Sequence, residues 1–223
     1  GALAAGLVTP ETTVKVPGWY RMPGDDRRYR DWTLRVRGGA HADLVDLRMA
    51  IAESCDTYYY DLAYRMGIDT MAEMLAPFGL GERTGIDTTG EQPGILPSSE
   101  WKRRALGEAW YPGETISAGI GQGYMLATPL QLAQATMVLA NRGLSFVPSV
   151  VHHVDDLPVG GVARTPLPMT EEDWEAVVAG MVDVVHSPRG TAALIARGMD
   201  YQMAGKTGTS QVIGIAQDAV YDE

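Results

Sequence analysis

Beyond residue 45 the apolar positions recur mostly at the three-and-four spacing of amphipathic helices, so the pattern predicts helices first and one strong strand at the end. Gly1 to Leu7 reads as the tail of a helix ended by Val8-Thr9-Pro10, since the residue before a proline is pushed out of the α region. Residues 10–42 are rich in Pro, Gly, Arg and Asp and lack sustained periodicity. They predict an extended excursion with short strands around Trp19-Tyr20 and Trp32-Thr33-Leu34. Asp46 or Asp43 can cap a helix running through Glu53, and a second helix from about Thr57 to Met66 stops at Gly67. Ser54-Cys55-Asp56 lies at the break between them. Asp69 is expected to cap Thr70 to Ala76, before a glycine-punctuated loop that runs on to Pro97. Thr128 as N-cap, Pro129 at N1 and Gln131 at N3 form a capping box, with Gly143 as the stop. Thr170 to about His186 begins with Glu171, Glu172 and Asp173, well placed against the helix dipole, and Thr191 to Arg197 follows as a short helix. Tyr201 to Ile215 reads as a strand that runs into polar Gln217 to Glu223. Leu157 to Pro168 is the one linker-like stretch, read as a loop within a single domain.

Length and composition narrow the class. A chain of 223 residues with 45% hydrophobic and 21% charged positions can bury a sizeable core as one unit. Its formal charge of −10 repels phosphate backbones and argues against nucleic acid as a partner. No stretch approaches the roughly 20 apolar residues a spanning helix needs. A lone cysteine, Cys55, rules out an internal disulfide.

Lys206-Thr207-Gly208-Thr209 sets a cation, two hydroxyls and a glycine along the predicted final strand. An ammonium attracts a carboxylate, hydroxyls donate to it, and a glycine lets a substrate backbone come close. A solvent-exposed turn is the plainer alternative. Gly205-Lys206-Thr207 imitates the end of a phosphate-binding loop, but Asp200 stands where that motif needs glycine. Ser54-x-Asp56 could offer a hydroxyl and an acceptor as a proton relay, or be no more than a helix cap.

The two elements occur in the order of the second and third members of the set Ser-x-x-Lys, Ser-Asp-Asn and Lys-Thr-Gly. Around them stand Pro17-Gly-Trp-Tyr, Arg28-Tyr-Arg-Asp-Trp32, Glu53-Ser-Cys-Asp-Thr57, Phe78-Gly-Leu-Gly, Thr84-Gly-Ile-Asp87, Gly119-Ile-Gly-Gln-Gly-Tyr124, Ala127-Thr-Pro-Leu-Gln131 and Gly205-Lys-Thr-Gly-Thr-Ser-Gln211. Over nearly its whole length the chain resembles the class B penicillin-binding proteins, the elongation-specific kind above all. The resemblance implies an α+β penicilloyl serine transferase fold of the β-lactamase and transpeptidase type, an antiparallel sheet flanked by helices. It implies a peptidoglycan D,D-transpeptidase that cross-links stem peptides ending in D-Ala-D-Ala through an acyl-enzyme, and that β-lactam antibiotics inhibit. Ser54 would relay protons, Asp56 would orient the site, and Lys206, Thr207, Gly208 and Thr209 would hold the substrate carboxylate, with the Thr209 amide in the oxyanion hole. No cofactor is required. The implied setting is the periplasmic side of a bacterial inner membrane, reached by an N-terminal anchor outside this sequence. Implied partners are the cell-elongation machinery, including a membrane glycosyltransferase and a scaffold protein.

The family's nucleophile and base, Ser-x-x-Lys, are expected upstream, so residues 1–223 read as a partial transpeptidase domain that also lacks C-terminal strands and helix and is inactive alone. Ser99-Glu-Trp-Lys102 has the spacing but lies after Ser54, in the wrong order, and Thr12-Thr-Val-Lys15 lacks the serine. Asp56 stands where many members carry asparagine; the acceptor is kept and the amide donor is not. Asp31, His41 and Cys55 are ligand types that zinc accepts and could meet if the excursion folds back, with a fourth ligand from Asp25, Asp26, Asp43 or water. The plainer alternative makes His41 a surface residue and Cys55 a small buried one. Two rival functions are a β-lactamase or β-lactam sensor of the same fold, and a non-catalytic binding fragment.

Overall fold

The structure is a computed structural model that describes residues 1–36, 38–158, 161, 163, 166–167 and 169–210. Gly1 to Leu7 forms helical turns closed by a Schellman-type ending: Leu7 N donates to Ala2 O at 3.0 Å and Gly6 sits at φ +65°. The excursion follows as β1 (Val14–Lys15), β2 (Trp19–Tyr20) and β3 (Tyr29–Arg30), and β2 pairs antiparallel with β3. The strand expected at Trp32-Thr33-Leu34 is instead the opening of α1 (Trp32–Val36). Asp31 decides this, because its carboxylate accepts from Thr33 N at 3.1 Å and its carbonyl from Leu34 N, an aspartate cap that outweighs the extended preference of Trp and Thr. Strand β4 (Leu44–Val45) returns to pair with β1, Val14 opposite Val45.

The helical body comes next. Asp46 caps α2 (Leu47–Ala52) by accepting from Met49 N at 2.8 Å, and α3 (Asp56–Met66) ends at Gly67. Helix α4 (Ile68–Leu75) starts directly after Gly67, so Asp69 lies inside its first turn and is not its cap. The Asp69 carboxylate reaches across to the start of α5 (Ser99–Leu106), where it accepts from Ser99 N and Ser99 Oγ at 2.8 and 2.7 Å. Helices α6 (Pro112–Ala118) and α7 (Pro129–Ala140) follow, and α7 carries the expected reciprocal capping box of Thr128 and Gln131. A short hairpin pairs β5 (His153–Val154) with β6 (Leu157–Pro158), which lies at the start of the linker-like stretch.

Thr170 caps α8 (Glu171–His186). The helix expected over Thr191 to Arg197 is a succession of turns, in which Ala193 N donates to Gly190 O and Ile195 N to Ala192 O, three residues back; Thr191 N and Ala192 N reach out to Ala52 O and Val184 O. Tyr201 to Ser210 is extended but forms no strand; its Gly205 N donates to Met181 O of α8, and no strand pairs with it among the described residues. The rest of that expected strand, and the polar stretch 217–223, lie outside the described residues.

The core sits where α2 and α3 meet α8, around Val45, Ile51, Tyr58, Leu62, Val184 and Val185. Two glycines permit the close approaches. A Cβ on Gly180 would lie 2.9 Å from Ile51 Cβ, and one on Gly119 would lie 2.4 Å from Ala63 Cβ, where α6 crosses α3. The class is α+β with antiparallel pairing, as expected. Among the described residues no helix is long and apolar enough to cross a membrane.

Candidate functional site

Ser54 and Asp56 flank the break between α2 and α3. Cys55 N donates to Ala50 O and Ser54 N to Ile51 O, which closes α2 and leaves Ser54 in the left-handed region at φ +51°. A non-glycine residue held there costs of the order of 1–3 kcal/mol and persists only where its surroundings over-determine it. The excursion supplies those surroundings: the Trp32 indole donates to Ser54 O at 2.9 Å, and Trp32 N donates to Asp56 Oδ2 at 3.2 Å.

Lys206 arrives from 152 residues away. Its ammonium donates to Ser54 Oγ and, at 3.0 Å, to the Thr207 carbonyl. Thr207 Oγ1 stands 3.4 Å from Ser54 Oγ and 2.8 Å from Thr191 Oγ1, so one ammonium and three hydroxyls form a continuous polar cluster. Lys206 is solvent-exposed as a residue; desolvation of its ammonium lowers its pKa, and Asp56 opposes the shift. Burial, with Asp31 adding, pushes the Asp56 carboxyl up to about 6 against the pull of Trp32 N, His41 and Lys206. Gly208 and Thr209 lie exposed just beyond, with open space around the position a Gly208 Cβ would take. Cation, hydroxyl donors and an open glycine edge together suit a small carboxylate.

Beneath the turn lies a second cluster. Asp31, His41 and Cys55 are all buried, and one ligand atom from each lies within 4.8 Å of the others. His41 is thus no surface residue. Its Nε2 meets Asp31 Oδ1 at 3.1 Å and its Nδ1 meets Glu53 Oε2 at 2.9 Å. Burial would raise the Asp31 carboxyl, but hydrogen bonds from His41, Thr57 and Thr33 hold it down to about 2. Desolvation would lower His41, yet its bonds to Asp31, Cys55 and Glu53 carry it up to about 10, while burial pushes the Cys55 thiol up. The donor set and its convergence fit zinc. Among the described residues no fourth protein ligand joins them: Asp26 pairs with Arg21, Asp25 accepts from Arg27 N, and Asp43 is exposed.

The other Ser-x-x-Lys spacing is structural. Ser99 binds Asp69, and the buried Lys102 donates to Glu114 and sits over the rings of Tyr111 and Tyr124. Thr12 closes a local turn with Thr9. Three participants had no sequence signal of their own as site residues: Glu53, Arg189 and Thr191. Glu53 was visible only as the residue before Ser54; nothing in the local pattern around 189–191 marks the others.

Known proteins are similar to this chain over nearly all of its length. Residues 1–222 match the model of the penicillin binding protein transpeptidase domain. A curated relative, the peptidoglycan D,D-transpeptidase MrdA of Acinetobacter baumannii, is 42% identical over 228 residues, covering 100% of this chain and 33% of its own. Pseudomonas aeruginosa PBP2, solved in complex with WCK 5153, superposes with a TM-score of 0.87 at 43% identity over 95% of this chain and 47% of that one. PBP2 of Helicobacter pylori, solved in complex with MreC, gives 0.81 at 32% identity over 92% of this chain and 36% of that one. The chain spans about a third of the length of the curated relatives it matches. It belongs to the penicillin-binding protein transpeptidase family.

Proposed function

We propose that the protein containing this chain is a serine-type peptidoglycan D,D-transpeptidase of cell-wall elongation. The observation that carries the reading is the meeting of Lys206, Ser54 and Thr207 across 152 residues of sequence. In the proposed reaction an upstream serine Oγ attacks the penultimate D-Ala carbonyl carbon of a stem peptide and gives its proton to a neighbouring lysine. As the carbon–nitrogen bond breaks, Ser54 passes a proton to the departing D-Ala amine, and Asp56 orients the relay. An amine of a second stem then attacks the ester, forms the cross-link and frees the serine. Lys206, Thr207 and Thr209 hold the terminal carboxylate, Gly208 leaves room for the substrate backbone, and the Thr209 amide contributes to the oxyanion hole. β-Lactams enter the same site as substrate mimics.

The setting proposed with it is the periplasmic face of the inner membrane, with a membrane glycosyltransferase and a scaffold protein as partners; a relative solved in complex with MreC supports a protein partner. Intact mass after incubation with a penicillin tests the reaction. The expected result is that a version extended upstream through Ser-x-x-Lys gains the drug's mass and residues 1–223 do not. Labelling of residues 1–223 alone would move the nucleophile to a serine of this chain and overturn the assignment.

We also propose structural zinc on Asp31, His41 Nε2 and the Cys55 thiolate, with water as fourth ligand and Glu53 orienting the ring through Nδ1. Zinc would lock the excursion against the helix break. Elemental analysis of the purified protein should give close to one zinc per chain, with chelation lowering the melting temperature and Cys55→Ser losing the metal. No zinc above background in the wild-type protein would refute the site.

A further inference from the structure

Glu53 and Arg189 touch none of the groups assigned to the reaction, yet they join its two halves. Glu53 closes α2 immediately before Ser54, and its side chain is 2% exposed. Arg189 reaches it from 136 residues away with both arms: Nε stands 2.6 Å from Oε1, and Nη2 donates to Oε2 at 2.9 Å. A guanidinium fork on a carboxylate fixes direction as well as distance, which an ammonium cannot do. Two residues on, Thr191 N donates to Ala52 O at 3.2 Å and the Thr191 hydroxyl meets Thr207 Oγ1 at 2.8 Å. The residue between them packs directly on the end of α8, since a Cβ on Gly190 would lie 2.3 Å from the carbonyl oxygens of Asp183 and Val184. Residues 189–191 therefore act as a strut. One end is pinned to Ala52 and Glu53, the other to Thr207.

Ser54, the residue this strut borders, is also the strained one, at φ +51°. A left-handed serine relaxes unless both of its flanks are fixed. On the C-terminal side Trp32 holds the Ser54 carbonyl and Asp56; on the N-terminal side the fixed point is Glu53, gripped by Arg189 and His41. We propose that the Glu53–Arg189 pair is a positioning device for acyl transfer, setting the Ser54 and Thr207 hydroxyls at their working separation without contacting substrate. The inference rests on the transpeptidase reading above. Arg189 is half-exposed, and its loss leaves Glu53 still bonded to His41 with water able to enter, so the fold can survive the change.

The test uses the full-length protein and a fluorescent penicillin, with acylation followed over a range of drug concentrations to separate the limiting rate constant from the apparent dissociation constant. Arg189→Met is expected to lower the limiting rate roughly tenfold or more, with the dissociation constant changed less than about twofold, because misplacement of a reacting group acts on the chemical step. Arg189→Lys should keep the wild-type melting temperature and recover only part of the rate, since a point charge cannot rebuild the fork. If Arg189→Met does not fold, Arg189→Lys decides alone. Wild-type limiting rates in the folded variants overturn the inference and leave the transpeptidase reading intact; an unlabelled wild-type protein removes both.

Discussion

Ser54 carries the strain of the site in one backbone angle. Its φ of +51° suits glycine and costs serine, while the hydroxyl is what the Lys206 and Thr207 contacts require. Replacing it by glycine separates the two demands. Ser54→Gly is expected to raise stability by up to about 1 kcal/mol, read as a higher urea midpoint, while it suppresses penicillin acylation of the full-length protein. A lower midpoint would show that the turn is not strained. The side chains that belong to short motifs, Ser54, Asp56, Lys206 and Thr207, were legible in the sequence because residue type and order suffice to mark them. Arg189 and Thr191 were not, since their roles depend on where the chain returns to Glu53 and Thr207, and no local pattern encodes that return.

At the level of elements, ends proved more readable than interiors. Helices α2, α7 and α8 begin at Asp46, one of the two aspartates expected there, and at the expected Thr128 and Thr170, each accepting from the amide three residues on, because a capping side chain acts locally. Helices α5 and α6 were missed in the sequence, although the same chemistry marks their starts: Ser98 accepts from Trp101 N, and Glu114 reaches back to Tyr111 N beside Pro112. The strand expected at Trp19-Tyr20 formed, because β3 pairs with it, whereas the final one did not: extended segments become strands only against a partner, and Tyr201 to Ser210 has none among the described residues. Loops are fastened to one another by single carboxylates. Asp87 accepts from Ser149 Oγ, Val150 N and Val151 N, and these bonds hold its pKa at about 2, below the ordinary 3.8. A depressed carboxylate adds stability that is full above its unfolded pKa and disappears as pH falls through its folded one. The Val150 and Val151 amide resonances should therefore stay constant down to about pH 4 and shift as pH drops toward 2. Titration near 4 instead would mean that the tie does not form.

On the scale of the whole molecule, the helical body was legible because periodicity is summed over many residues, and the α+β class because the motifs carry a family resemblance. The joints were not. Helix α2 packs on α8 with Ile51 against Gly180, and the excursion folds under the Ser54 turn through Asp31, His41 and Trp32. Each joint unites segments far apart in sequence, and the site is the extreme case, with Ser54 and Lys206 separated by 152 residues. Closing so long a loop costs entropy before any contact repays it, so helices form early and distant pairings late. During synthesis a ribosome that has delivered α3 and α7 has not yet assembled this cluster. The Lys206 ammonium and the hydroxyls of Ser54, Thr191 and Thr207 converge only after residue 207 has emerged, so a nascent chain short of it carries the Ser54 turn without its cation.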